Sequence, residues 1–581
     1  MAALSKKSGG TPAGSSARVS IAKYQGANLA GKAGRPPCFL LATEGDSAKD
    51  LAVAGMEIVG RDRYGVIPLR GVIRNVRPAK INAKTLKDFL KNAELAAINK
   101  VLGLQFGTVY TKDNVHKLLR YDHFVIFCDQ DPDGAHIAGE LINYFTIMFP
   151  SLLRAKPDFL MRLGTPIIRL KPIGKKGEAL SFFTTAAYRT YLEQNGIAPT
   201  QVRKRFRLKY LKGLASSNED DAHYYFQNLD SHLIPIIYGG ESDDEIVDKW
   251  FRKNRADDRK VLLSRPYDPD VCVDYSAKKI TLPHYFDREY IHFPHYAIYR
   301  TIPNVMDGFK PSQRKVMFTA FKRKFKDPVK VVQFAGAVLE TAAYHHGDVA
   351  LQGAIIAMAR RYCGSNNINL LQPDGQFGSR HSNHAGAARY ISAGLEKIAR
   401  AIFRPEDDAI LEYLDDDGQS IEPKYFLPVV PLALINGCEA GIAVGWSSFV
   451  PMYNPTDVIA WLRARMDQAA LQTPEELDPD APVEGMIDAQ HSRSREASIA
   501  LRRKASEGDG EESRLELTEG AELTADLTDA TADNTEVNEE TQTVENPEES
   551  EEDGEEGWAK GAVAPSPVCI LPWHSHIPPA N

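Results

Sequence analysis

The chain alternates short apolar runs with stretches of helical periodicity. Cys38-Phe39-Leu40-Leu41-Ala42 and Phe124-Val125-Ile126-Phe127-Cys128 are wholly apolar and short, the pattern of strands covered on both faces. A polar turn follows each, and Ser47-Ala48-Lys49-Asp50-Leu51-Ala52-Val53-Ala54 opens a helix after the first. Residues 36 to about 155 therefore predict an α/β domain with a parallel sheet flanked by helices. Residues near 156 to 275 are mixed and include the basic stretch Arg203-Lys204-Arg205-Phe206-Arg207-Leu208-Lys209-Tyr210, which reads either as a solvated face or as a contact for a polyanion. Residues 1–35 are rich in Gly, Ala, Ser and Lys, and residues 466–581 turn acidic and rich in Thr, Asn and Glu. Both segments hold too few apolar positions for a core and are expected to be disordered. No internal repeat is apparent.

The two apolar runs end in acid. Glu44 follows Thr43 and precedes Gly45-Asp46-Ser47-Ala48, while Asp129, Asp131 and Asp133 follow Cys128. Two neighbouring parallel strands would bring these carboxylates together at the carboxyl edge of the sheet, where α/β proteins place their ligands. Four carboxylates there repel one another unless a hard cation neutralises them. Mg²⁺ suits oxygen donors and retains waters and phosphate oxygens in its shell. A lone acidic triplet is more often a solvated turn, and Asp-x-Asp-x-Asp also begins calcium loops. Pro132 and the lack of a glutamate at the twelfth loop position argue against calcium, and pairing with the Glu-Gly-Asp-Ser turn favours a magnesium site for phosphate chemistry.

Composition adds scale. At 581 residues and 43% hydrophobic content, the chain is long enough for roughly three or four domains. No apolar stretch approaches the ~18 residues of a membrane span, and no apolar segment follows Lys6 and Lys7 to make a secretory signal. The six cysteines are scattered without metal-type spacing and read as reduced thiols. The net charge of -7 divides unevenly: Glu507 to Glu556 holds 21 acidic residues against Arg514 alone, which leaves +13 on the rest. A modestly basic body suits a polyanion and would give salt-sensitive affinity.

Glu44-Gly45-Asp46-Ser47-Ala48 with Asp129-x-Asp131-x-Asp133-Gly134 resembles the Toprim signature. Further segments narrow the resemblance to type II DNA topoisomerases of the eukaryotic and large-DNA-virus kind. They are Pro68-Leu69-Arg70-Gly71, Gly103-Leu104-Gln105, Pro311-Ser312-Gln313-Arg314-Lys315-Val316, Ala343-Tyr344-His345-His346-Gly347, the run from Gly364 to Pro373, Gly375-Gln376-Phe377-Gly378, Ala388-Arg389-Tyr390-Ile391 and Gly445-Trp446. They occur in the family's order and cover roughly residues 24 to 465.

The resemblance implies a Toprim domain with its extension over 36–275, then a mainly α winged-helix (α+β) DNA-cleavage domain over 276–465. A winged helix is a helix-turn-helix variant that lays one helix in a groove. It further implies that Tyr390 attacks a DNA phosphodiester and keeps the 5′-phosphate as a phosphotyrosine ester, with double-strand cleavage and religation as the outcome. A phenol, with a free pKa of about 10, is a poor nucleophile at neutral pH and needs support. Arg389 adjoins it and can hold a phosphate oxygen bidentately, and His345 or His346 could stabilise charge or shuttle a proton. Mg²⁺, as two ions, would be held by Glu44, Asp129 and Asp131 with Asp133 close by.

Arg314, Lys330 and Lys212 match basic positions that contact DNA in the family, and Ile442 matches an apolar wedge that unstacks a base step. Each has a plainer reading, as a generic phosphate contact or a core residue. The partners implied are double-stranded DNA and a second copy of the chain, with Tyr390 and the metal site of one cleavage centre coming from opposite subunits. The place of action implied is the nucleus or a viral or cytoplasmic replication site. The family uses ATP, but no ATPase half precedes the Toprim region, and no tower, coiled coil or exit gate follows residue 465. Either the sequence is a fragment or a mis-joined gene, or a separate ATPase-bearing subunit supplies what strand passage needs.

Some positions depart from the family. Val72 stands where lysine is usual, Ala215 where glycine is usual, the loop between Arg380 and Tyr390 is about two residues short, and one residue is added in Asn436–Ile442. These touch DNA positioning more than the metal or the nucleophile. Two other readings differ in class: a catalytically incomplete fragment that binds DNA or a partner, and a Toprim nuclease or primase that forms no phosphotyrosine link.

Overall fold

The computed structural model describes residues 19–470 apart from 78–88, 90, 175–178, 212, 213, 215, 216, 218, 276, 278, 326, 363, 417 and 418. Of the acidic segment, only its first five residues are described, and they complete the helix Pro455–Ala470. The chain divides into two compact units, Met1–Ile302 with Gly441–Ser448 and Pro303–Ala440 with Phe449–Asn581.

The first unit is built on a mixed sheet. Its strands are β1 (Phe39–Thr43), β2 (Tyr64–Pro68), β3 (His123–Phe127), β4 (Leu160–Leu163), β8 (Leu233–Ile237) and β9 (Ile280–Thr281), in the order β2-β1-β3-β4-β8-β9. The two apolar runs read from the sequence are β1 and β3, and they pair in parallel, with Phe39 opposite His123 and Thr43 opposite Phe127. Only β8 against β4 is antiparallel among these pairs. Successive side chains point to opposite faces of a strand, and both faces are covered. Leu40, Ala42, Phe124 and Ile126 pack with Ile137 and Leu141 of the helix Pro132–Met148. Leu41, Val125 and Phe127 pack on the other side with Leu51, Ala52 and Met56 of the helix Asp46–Val59 and with Tyr225 and Phe226.

A smaller antiparallel sheet inserts between β4 and β8. It comprises β5 (Ile168–Pro172), β6 (Leu180–Phe182) and β7 (Phe206–Tyr210), in the order β6-β5-β7. The basic stretch is thus the helix Pro199–Arg205 running directly into β7.

Two boundaries differ from expectation. Residues 19–35 are packed, not disordered: Val19 is buried, Gln25 bridges to Val66, and Arg35 forms an ion pair with Asp122. The first unit also runs to Ile302 and not to 275, because Leu282, Tyr285, Phe286 and Tyr290 fill the same core as Leu141 and Phe251.

In the second unit the helices Pro311–Arg323, Val331–Ala342 and Asp348–Ala359 gather beside a small sheet. Its strands are β10 (Val329–Lys330), β11 (Leu371–Asp374) and β12 (Ser392–Leu395), in the order β10-β12-β11. Val316, Phe334, Leu351, Leu371 and Ala393 share one core. The hairpin of β13 (Tyr413–Asp416) with β14 (Gln419–Pro423) completes the strands of this unit, and a further hairpin, β15 (Cys438–Ala443) with β16 (Trp446–Val450), has its residues Gly441–Ser448 in the first unit. Among the described residues no helix is long and apolar enough to cross a membrane, and Cys38, Cys128, Cys272 and Cys438 are free thiols.

Arg314 corrects the sequence reading. Instead of facing DNA it is completely buried. Its Nε donates to Asp307 Oδ2 at 2.7 Å, and one terminal nitrogen donates to Asp307 Oδ1 and to the Phe309 carbonyl, each at 3.0 Å. Asp307 also accepts from the Phe309 and Phe426 amides. A bidentate guanidinium–carboxylate pair with its remaining oxygens satisfied is one of the few ways to seal a charge inside a core.

Removing one partner would strand the other. Asp307→Ala is expected to destabilise the second unit by about 3–5 kcal/mol, read as a lower denaturation midpoint in urea. Asp307→Ala combined with Arg314→Met should recover much of that loss.

Candidate active site

The carboxylate edge forms because β1 and β3 end level. Glu44 follows β1 and its amide donates to the Phe127 carbonyl at 3.3 Å, while the Asp129 amide donates to Glu44 Oε2 at 3.3 Å. Helices start directly after both turns, at Asp46 and at Pro132, so two helix N-termini lie at this edge. That geometry favours anions such as phosphate. Asp131 caps the second helix, with Oδ1 accepting from the Gly134 amide at 2.7 Å. Pro132 sits in the first turn, where its missing N–H costs nothing.

Two further partners hold Asp129. Its Oδ1 accepts from the Leu214 amide at 2.8 Å, and its carbonyl accepts from Arg162 at 3.2 Å. Its carbonyl oxygen also lies 2.2 Å from where a Cβ on Gly134 would stand, so no larger residue fits there. Arg162 is itself buried and paired with Glu289 at 2.8 Å, and Tyr275 donates to Glu289 at 2.5 Å. Asp133 lies 3.5 Å from Arg300.

These carboxylates feel one another. Burial and then the Asp129 charge push Glu44 up to about 7. Asp131 keeps its outer surface open, yet crowding by protein on its inner side pushes it up to about 6, with Asp129 and Asp133 adding to the rise. Burial raises Asp129 as well, against the pull of the Leu214 amide and Arg162. Among the described residues no three carboxylates close into a metal cage. An open edge of oxygen donors that repel each other fits Mg²⁺, which keeps waters and substrate oxygens in its shell and is seldom enclosed by protein alone. Lys23, Glu44, Asp46 and Arg70 line a shallow cavity of about 230 Å³ at the same edge, which places the Pro68–Gly71 motif beside the acid.

The candidate nucleophile lies in the second unit. Tyr390 ends a turn closed by its amide on the Ala387 carbonyl at 2.8 Å, just before β12. Its ring is 68% exposed. The Arg389 guanidinium lies 4.8 Å from the ring centroid, and its hydrogen bond and charge hold the phenol below its ordinary pKa. Lys330 donates to the Tyr390 carbonyl at 2.7 Å. The register of β10 against β12, Lys330 opposite Ser392, makes that contact possible. His345 and His346 follow the far end of the helix Val331–Ala342. His345 Nε2 meets Asp416 at 2.8 Å, and His346 lies edge-on to the Tyr344 ring at 5.4 Å.

Ile442 is 55% exposed on β15, as a wedge requires and a core residue does not. Lys212 lies outside the described residues. Sequence reasoning missed Arg162, the Leu214 amide, Lys23 and Asp416. A backbone amide has no sequence signature, and the other three act across distances in the chain that only folding closes.

Two family models match the chain. Residues 300–549 match the model for the A subunit of DNA gyrase/topoisomerase IV, and residues 163–298 match the C-terminal associated domain of TOPRIM. DNA topoisomerase 2 of Candida glabrata is 43% identical over 446 residues, 76% of this chain and 30% of that protein. The Saccharomyces cerevisiae DNA topoisomerase 2 is 41% identical over 469 residues, 80% and 32% respectively. The mitochondrial DNA topoisomerase 2 of Dictyostelium discoideum is 41% identical over 456 residues, 78% and 34%. This chain spans about a third of the length of these relatives. A crystal structure of the Plasmodium falciparum topoisomerase II DNA-binding, cleavage and re-ligation domain matches with a TM-score of 0.67 and 40% identity, over 78% of this chain and 60% of that one.

Gly134→Ala tests the acidic edge. The added Cβ must push the Asp129 carbonyl aside, which is expected to lower stability by about 1–3 kcal/mol and to weaken Mg²⁺ binding in a calorimetric titration. Ala135→Gly, in the next position, should leave Mg²⁺ binding unchanged.

Proposed function

This chain carries the core region of the type II DNA topoisomerase family, and we propose that it cleaves and rejoins double-stranded DNA through a covalent link to Tyr390. The observation that carries this reading is the setting of Tyr390. A largely exposed phenol with a guanidinium 4.8 Å from its ring centroid and a lysine on its carbonyl is not a packing residue. In this reading it is the nucleophile, open to a polymer.

Each residue has a definite part. Tyr390 Oη attacks phosphorus, the bond from phosphorus to the 3′-oxygen breaks, and the 3′-oxygen leaves as a hydroxyl once protonated. Attack by that hydroxyl on the phosphotyrosine reverses the step without an external energy source. Arg389 favours the phenolate and can hold a non-bridging oxygen. His345 or His346 stabilises charge at the phosphate or carries a proton. Mg²⁺ held by Glu44, Asp129 and Asp131, with Asp133 in support, would supply charge neutralisation at the phosphate and the leaving oxygen.

The second unit acts, in this reading, as the winged-helix domain, with one helix in a groove of the duplex and Lys330 on the backbone, while the first unit supplies Lys212 as a backbone contact and Ile442 as the wedge between bases. A double-strand break needs two nucleophiles and each chain has one Tyr390, so the working form is a dimer. ATP-driven strand passage belongs to the parts of the family beyond the region compared. The eukaryotic relatives point to the nucleus as the place of action, though one of them is mitochondrial.

Covalent trapping with supercoiled plasmid, Mg²⁺ and a detergent quench tests the proposal. The native chain should leave protein on the 5′ ends of linear or nicked DNA, and Tyr390→Phe and Glu44→Gln should not. Cleavage without attached protein would point to a nuclease, and DNA binding without cleavage to a binding protein. A second expectation concerns pH. Because Arg389 lowers the phenol pKa, Arg389→Gln should move the rise in adduct formation with pH to higher pH; an unmoved profile would remove Arg389 from this role.

A further inference from the structure

The loop Ala343–Gly347 carries both histidines and follows directly on the helix Val331–Ala342. It leaves that helix through Ala343, a non-glycine residue at φ +47. That left-handed conformation is unfavourable for an L-residue and persists only where surroundings impose it. The surroundings here are the hairpin β13–β14. Gln419 donates its side-chain amide to the carbonyls of Glu340 and Thr341, each at 3.0 Å. Lys315 joins the Ala342 carbonyl at 2.6 Å to Glu422 of β14 at 2.8 Å. Arg323 bonds Thr341 Oγ1 at 3.0 Å. Beyond the turn, Tyr344 is buried, and Asp416 of β13 bonds His345 Nε2 at 2.8 Å.

We propose that Asp416 is a positioning residue for the histidine loop, and that the hairpin β13–β14 serves as its mount. A carboxylate can only accept, so the bond places a proton on Nε2 and restrains the His345 ring. With His345 pinned on one side and Tyr344 buried on the other, the loop has one arrangement, and His346 beside them is presented in one orientation. Gln419 and Lys315 hold the carbonyls of the helix end and Asp416 holds an imidazole, so the hairpin supports the loop at two levels, backbone and side chain. The inference rests on the reading that this loop meets DNA during cleavage.

The test compares the rate of Tyr390–DNA adduct formation by the full chain with its affinity for a short duplex. Asp416→Asn should slow adduct formation about tenfold, the lower end of losing a carboxylate that orients a histidine, with duplex affinity unchanged. Asp416→Glu should restore part of the rate. His345→Ala should cost a similar factor, and the double variant His345→Ala with Asp416→Asn no more than the worse single one, since both remove one bond.

Full adduct formation in Asp416→Asn, or single losses that multiply in the double variant, would overturn the proposal while leaving the cleavage reading intact. Adduct persisting in Tyr390→Phe would instead overturn the cleavage reading. The 15N spectrum of the imidazoles then decides on the mount without turnover. A His345 resonance of the Nε2-protonated form that changes in Asp416→Asn supports the bond, and one that does not change refutes it.

Discussion

Everything chemical in the first unit depends on the level, parallel pairing of β1 with β3. Because Thr43 stands opposite Phe127, the next residues of each strand enter the same small volume, and Glu44 comes within reach of the Asp129 amide. A slip of one residue would turn the side chains of one strand to opposite faces and exchange Leu40 and Ala42 with Leu41 between two distinct cores. The apolar packing on both faces is therefore what holds like charges together. The protein also supplies partial compensation, through two helix N-termini, the Leu214 amide and the buried Arg162. Burial and mutual repulsion still raise Glu44 and Asp131 above the usual carboxylate range, as the proposed cation site would require.

The second unit solves a different problem, keeping the candidate nucleophile exposed and yet oriented. Tyr390 cannot be held by burial, so its backbone is held instead. The turn hydrogen bond from Ala387, the Lys330 contact and the pairing of β10 with β12 fix the main chain, and Arg389 attends the ring. The histidine loop follows the same logic, with carbonyls gripped by Gln419 and Lys315 and a half-exposed imidazole tied to Asp416. Fixed backbone with free side chains lets a rigid site accept a large substrate without a lid. The buried Arg314–Asp307 pair ties the start of this unit to Phe309 and Phe426, so the charge once expected on the DNA face serves the interior.

Much of this was legible in the order of residues. The apolar runs of β1 and β3 need no context to be recognised, because a strand covered on both faces has no polar alternation. The acids after them are local too, and so is the Arg389–Tyr390 adjacency. Position along the chain and residue type were enough to nominate Glu44, Asp129, Asp131, Asp133 and Tyr390. What tertiary structure alone decided was which charges face solvent and which partners meet. Arg314 and Lys330 look equivalent as letters, but one is sealed against Asp307 and the other reaches the Tyr390 carbonyl. Val19 to Arg35 is too polar to announce a packed segment, yet the edge of β2 offers Gln25 a backbone partner at Val66. Asp416 meets His345 from 71 residues away. Hydrophobic periodicity and motif are short-range properties of a chain, whereas burial of a charge and choice of a hydrogen-bond partner depend on what the rest of the chain brings alongside.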